Sequence, residues 1–248
     1  MANFPKVVLI TGAARRVGAE IAAILHEAGC NIVLHYHRSA AEAKQLCAFF
    51  NEKREHSAIT LRADLSDIPR LNHLVEQAAQ EWGHLDVLIN NASRFYKTAV
   101  GQVTESSWDD LLNTNLKAPF FLCQAAVKYL QERKGCIVNL GDVHGERPMR
   151  DYGVYCISKA GLLMLTQTLA KEWGPSIRVN AVSPGAVMLP EGENVLTPEQ
   201  EEKILSRTAL RRHGSSQDVA KAVLYLVANA DYVTGTVLTV DGGRSLMI

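Results

Sequence analysis

Tyr155 and Lys159 stand four residues apart within a long amphipathic stretch. On a helix that spacing puts both side chains on one face. A phenol, with an ordinary pKa of about 10, is a poor acid–base group at neutral pH. A neighbouring ammonium favours the phenolate and is expected to bring the group towards working pH. Asp142 lies thirteen residues before Tyr155, just after the apolar run Cys136–Leu140. There a carboxyl group can orient a ring amine or amide, or relay a proton through Tyr155 to a C=N nitrogen. The plainer alternative is an aspartate in a turn, which is how Asp151 reads. Tyr152 has no lysine four residues on and reads as structural.

A second group of residues suits phosphate. The run Val7–Ile10 leads into Thr11-Gly12-Ala13-Ala14-Arg15-Arg16-Val17-Gly18 and then a helical pattern. The N–H groups of such a turn, with the positive end of the helix, can cradle a dinucleotide pyrophosphate. Gly12 and Gly18 also suit a tight turn with no ligand. Arg16, beside Val17, carries a guanidinium that can pair with pyrophosphate or a polar substrate; Arg15 reads as a solvated residue at the helix start. The next strand ends in Tyr36-His37-Arg38-Ser39 without a carboxylate to hold ribose hydroxyls. Imidazole, guanidinium and hydroxyl groups suit a 2′-phosphate instead, which predicts NADPH rather than NADH. Asp64 and Leu65 follow a third strand; taken singly, Asp64 could cap the next helix, but taken with the other strand ends a cofactor role is the stronger reading. Asn91, Ala92 and Ser93 follow a fourth strand, towards the nicotinamide half.

These residues need a scaffold, and the apolar periodicity supplies one. Strands are predicted at Val7–Ile10, Asn31–Tyr36, Ala58–Arg62, Leu85–Ile89, Cys136–Leu140, Ile177–Val182 and Val237–Val240. Helical stretches are predicted at Arg15–Ala28, Ala40–Glu52, Ile68–Trp82, Trp108–Asn113, Ala118–Glu132, Val154–Trp173 and Asp218–Ala228. Strict alternation implies an α/β Rossmann-type doubly wound fold: a parallel seven-stranded sheet with helices on both faces and right-handed crossovers. Ligands of such sheets bind beyond the carboxyl ends of the strands, where the candidate residues fall.

Bulk properties narrow the field. The 248 residues suit one domain, spanning 1–248, with a substrate-loop segment at about 186–210. The 26 Lys and Arg balance the 26 Asp and Glu, so no global charge favours nucleic acid or an anionic membrane. Five cysteines without a CxxC pair indicate reduced thiols and no metal site. The first apolar run is too short to span a bilayer, and a cytoplasmic location is expected.

TGxxxxxG at 11–18, Asn90-Asn91-Ala92, Asn115, Tyr155 with Lys159, Pro184-Gly185 and Val240-Asp241-Gly242-Gly243 together resemble the short-chain dehydrogenase/reductase superfamily. Arg16 replaces the middle glycine of the usual TGxxxGxG, and Asp142 replaces the usual serine. Together with HYHRSAAEA at 35–43 and NNASRFY at 90–96, these features resemble pteridine reductases. The resemblance implies an NADPH-dependent homotetramer that reduces pterins or folates. It implies that Phe95 stacks on the pterin, that Arg16 and Ser93 contact pterin and phosphates, and that His37, Arg38 and Ser39 hold the 2′-phosphate. It also implies a catalytic set of Asp142, Tyr155 and Lys159, with Asn115 linking water to the lysine. Taken alone, Phe95 reads as a loop residue packed on the core. Val187 and the C-terminal Arg244–Ile248 depart from the protozoan pattern, and the insertion those enzymes carry after NNAS is missing. A carbonyl reductase such as a 3-oxoacyl reductase shares the fold and the Tyr/Lys pair. A non-catalytic dinucleotide sensor is a third reading.

Overall fold

Seven short apolar runs become strands: β1 (Val7–Ile10), β2 (Asn31–Tyr36), β3 (Ala58–Arg62), β4 (Val87–Asn90), β5 (Cys136–Leu140), β6 (Arg178–Pro184) and β7 (Val237–Val240). The computed structural model of the chain describes residues 6–187 and 197–247. Every pairing is parallel, in the order β3-β2-β1-β4-β5-β6-β7. Alternate residues of one strand serve opposite faces. Val8 and Ile10 of β1 join a core layer with Ile21, Leu25, Phe50 and Val223. Val7 and Leu9 join the opposite layer with Leu74, Leu122, Leu162 and Leu165. The sheet is therefore sandwiched, and each fully buried Leu or Ile stabilises it by about 1.5–3 kcal/mol.

The helices α1 (Arg16–Glu27), α2 (Ala40–Lys53) and α8 (Ser216–Ala228) cover the first face; α3 (Ile68–Gln80), α5 (Ala118–Glu132) and α6 (Gly153–Trp173) cover the second. The chain winds outward from β1 to β3, then returns to lay β4 on the other side of β1. That reversal opens a crevice at the carboxyl ends of β1 and β4.

The α/β architecture matches the sequence expectation, with shifts at element ends. α4 (Glu105–Leu112) starts before Trp108 because Thr104 caps it, its hydroxyl accepting from the Ser107 N–H at 3.2 Å. Asn113–Lys117 widens into a π-helical turn that joins α4 to α5. α7 (Pro198–Ser206) was not expected; Thr197 and Gln200 form its capping box. Of the expected 186–210 segment, residues 188–196 lie outside the described residues. All five cysteines are free. No helix among the described residues is long and apolar enough to cross a membrane.

Candidate active site

The ends of β1 and β4 are clamped together before any ligand arrives. The buried Thr11 hydroxyl accepts the N–H groups of Asn91 and Ala92, both at 3.0 Å. The Asn91 amide donates back to the Thr11 and Gly12 carbonyls at 2.9 and 3.0 Å. Gly18 is required by this packing, since a Cβ there would lie 2.3 Å from the Gly12 carbonyl oxygen. Gly12 has φ +62° and Arg16 φ +54°. An arginine in the left-handed region is strained, at about 1–2 kcal/mol.

A cleft of about 630 Å³ opens over this clamp, large enough for a cofactor-sized ligand. It brings together Gly12, Arg16, Val17 and Gly18 from the turn and Tyr36, His37, Arg38 and Ser39 from β2. Asn91, Ala92, Ser93 and Phe95 after β4 join them, as do Tyr155, Lys159 and Pro184. Arg15, Arg94 and Gly141 also line it, unforeseen from sequence, and Arg15 remains exposed and 3.9 Å from Glu42. Among the described residues the lining carries the cations Arg15, Arg16, Arg38, Arg94 and Lys159 and no carboxylate. In a chain of zero net charge, this is a local positive field suited to a phosphorylated ligand. The turn, the basic β2 end and the glycine packing fit a dinucleotide.

Five expected residues lie outside the lining: Asp64, Leu65, Asn115, Asp142 and Gly185. The Asp64 carboxylate accepts from the Ser66 N–H at 2.9 Å and faces His37 at 3.6 Å. Leu65 is buried in the core, and Gly185 packs against Asp241. Asn115 is 1% exposed, and its side chain serves a loop. Its carbonyl oxygen accepts from the Arg94 N–H and the Ser93 hydroxyl at 2.8 and 3.1 Å. Its amide donates to the Arg94 carbonyl and the Ser158 hydroxyl, both at 3.0 Å. Ser158 in turn donates to the Tyr155 carbonyl at 2.7 Å. Asn115 thus ties the Phe95 loop to the helix that bears Tyr155.

Asp142 stands directly behind Tyr155. One carboxylate oxygen accepts from the His144 N–H at 2.8 Å, and the other from the Tyr155 hydroxyl at 2.7 Å. Lys159 is buried and donates to the Leu140 carbonyl at 2.7 Å; its nitrogen is 5.8 Å from the Tyr155 ring centre. The expectation that Lys159 brings the phenol towards neutral pH is corrected. Burial, and then the Asp142 charge, hold Tyr155 well above its ordinary value. Burial also lowers Lys159 to about 8, against an opposing pull from Asp142. Tyr155 is therefore a phenol that keeps its proton.

Phe95 is 37% exposed. One face of its ring stacks on Tyr152, with centres 4.6 Å apart at 15°, and it lies T-shaped to the Tyr155 ring, with centres 4.8 Å apart. Tyr152 is buried and backs the Phe95 ring, in keeping with its structural reading. Asp110 of α4 grips both neighbours of Phe95: it accepts from the Tyr96 hydroxyl at 2.9 Å and pairs with Arg94 at 3.2 Å.

A family model described as enoyl-(acyl carrier protein) reductase matches residues 12–245. Pteridine reductase 1 of Leishmania tarentolae is 37% identical, over 97% of this chain and 96% of its own. The 3-oxoacyl-(acyl-carrier-protein) reductase FabG of Staphylococcus aureus is 33% identical, over 96% and 97% respectively. The corresponding enzyme of Staphylococcus epidermidis is 32% identical, over 96% and 98%. A match of this extent, on a seven-stranded parallel sheet with the Tyr155/Lys159 pair beside a glycine turn, shows that the chain belongs to the short-chain dehydrogenase/reductase family, whose reductases bind NAD(P)H.

Proposed function

We propose that this oxidoreductase is an NADPH-dependent pterin reductase, acting on dihydrobiopterin, dihydromonapterin or a related dihydropterin, with dihydrofolate as a further substrate. The observation that carries the reading is the 2.7 Å bond from the Tyr155 hydroxyl to the Asp142 carboxylate, beside the partly exposed ring of Phe95. A flat heterocycle stacks well on such a ring, and a carboxylate can engage its ring amine in a way that a serine cannot. The likeness to a pteridine reductase supports the same substrate class.

Bound NADPH supplies the hydride. His37, Arg38 and Ser39 hold its 2′-phosphate, while Gly12 to Gly18 and Asn91 to Ser93 hold the pyrophosphate and nicotinamide ends. Phe95 fixes the plane of the substrate ring. Tyr155 delivers the proton to the ring nitrogen. Asp142 accepts the substrate's amine, a proton taken up from solvent through its carboxylate returns to Tyr155, and Lys159 presents its ammonium to the ribose side. The chain assembles as a homotetramer, with apolar side chains outside the core available for contact. Trp108, Leu112, Leu116 and Phe120 line one groove, and Ile157 and Met164 of α6 are exposed.

The test is NADPH oxidation with dihydrobiopterin, dihydromonapterin and dihydrofolate, alongside a β-ketoacyl thioester. Pterin turnover is expected, and Asp142→Asn should lower it about 100-fold, at the lower end of what proton-transfer groups contribute. The FabG likeness favours the thioester as the second reading. Turnover of the thioester and of no pterin would establish that reading instead.

A further inference from the structure

We propose that His35 is a cofactor-positioning residue: a neutral imidazole, fixed in one tautomer, that ties the glycine turn after β1 to the ends of β2 and β3. His35 sits on β2, is 2% exposed, and is not among the residues lining the cleft. Both ring nitrogens nevertheless meet backbone of other strand ends. Nδ1 is 3.2 Å from the Gly12 N–H, and Nε2 is 3.2 Å from the Ala63 carbonyl oxygen.

The tautomer follows from donor and acceptor chemistry. A backbone N–H can only donate, so Nδ1 must be the bare nitrogen. The single ring proton is then on Nε2, where it donates to Ala63. A histidinium has two donors and no acceptor, and would point an N–H at the Gly12 N–H. Burial favours the neutral ring and pushes His35 down to about 4, against the opposing bond to Ala63. The titratable neighbours are His37, which lowers it, and Asp64, which raises it.

The backbone of His35 reinforces its ring, because its carbonyl accepts the Ala13 N–H at 2.9 Å. Two consecutive N–H groups of the turn are thus committed to one residue and withdrawn from any phosphate. The phosphate-facing part of the turn must begin after Ala13. Gly12 has φ +62°, so the imidazole grips the turn at a left-handed residue. His35 adjoins Tyr36-His37-Arg38-Ser39, which lines the ribose end of the cleft. Ala63 adjoins Asp64, which faces His37. One ring therefore sets the spacing between the pyrophosphate turn and the ribose-binding strand ends. A histidine that merely filled space would need neither nitrogen aimed at another strand.

The inference needs a dinucleotide ligand but no particular substrate, and it does not depend on pterin reduction. Two variants separate the two nitrogens. His35→Asn keeps an acceptor near Nδ1 for Gly12, and His35→Gln keeps a donor near Nε2 for Ala63. Binding of NADPH and of NADH would be followed by fluorescence titration. The expected result is a loss of about tenfold in affinity for His35→Gln, equal for both dinucleotides, with His35→Asn within about threefold of wild type. Equal loss in the two variants, or a loss confined to NADPH, would overturn the assignment. Should either variant fail to fold, nitrogen-15 NMR of histidine-labelled wild type decides. Nε2–H with no titration between pH 5 and 8 is expected; a protonated Nδ1, or an ordinary midpoint near 6.5, would overturn it.

Discussion

Lys159 carries the most quantitative consequence of the site. Its ammonium is buried, and burial lowers it from 10.5 to about 8. A group whose folded pKa lies below its unfolded value binds fewer protons in the folded chain than in the unfolded one. Between pH 8 and 10.5 the unfolded state holds more protons, so stability rises with pH across that window. At about 1.4 kcal/mol per pKa unit, the gain from pH 7 to pH 10 is about 2–3 kcal/mol. Lys159→Met removes the charge and keeps an unbranched chain of similar length. The perturbation also removes the bond to Leu140, but that loss does not create a slope below the lysine's titration. The assay is urea unfolding of the apo wild type and of Lys159→Met at pH 7, 8.5 and 10. The wild type should gain about 2–3 kcal/mol on the variant between the first and last pH. Other titrating groups are common to both chains and largely cancel in the difference. A difference that stays flat from pH 7 to 10 would refute the claim that the ammonium is held desolvated.

Two further predictions concern the turn and the wall. Arg16→Gly removes a left-handed arginine and should raise the melting temperature by about 2–4 °C, the shift expected from about 1 kcal/mol in a chain of this size. It also removes a guanidinium from the cleft, so the KM for NADPH should rise; an unchanged or lower melting temperature would show that the turn stores no strain. Asp110→Ala releases Arg94 and Tyr96 on either side of Phe95. The KM for the pterin should rise about tenfold while the NADPH KM holds within about twofold, since one lost charge-assisted contact is worth about 1.5 kcal/mol; parallel loss of both would mean that Asp110 supports the fold rather than the platform.

How much of this could be read from the chain depends on how local each cause is. β1, β4 and β5 are short, almost wholly apolar runs buried on both faces, and a buried parallel strand leaves that signature in its own residues. The Gly12–Gly18 turn was readable for the same reason, because its chemistry lies within seven consecutive residues. α7 escaped because Pro198–Ser206 buries no residue and is rich in charge; only its Thr197 cap betrays it. His35, Ser158 and Asp110 escaped because their partners come from remote parts of the chain: Gly12, Asn115 and the Phe95 loop. A histidine inside a strand has no pattern that says which backbone groups its nitrogens will meet.

The reversal at Tyr155 shows why spacing alone misled. The i,i+4 rule correctly puts Lys159 on the face of Tyr155, but not where its nitrogen points. That nitrogen turns to the Leu140 carbonyl, while the charge touching the phenol comes from Asp142 after β5. A phenol bonded to a carboxylate must donate, and losing its proton would set two anions 2.7 Å apart. Burial of the phenol is the larger cause of its raised value and acts in the same direction. The carboxylate thus biases the pair towards a proton-loaded donor, the state in which a reductase must meet a substrate that gains a hydride and a proton together. Burial and the Asp142 charge thus act together on the phenol before any ligand arrives.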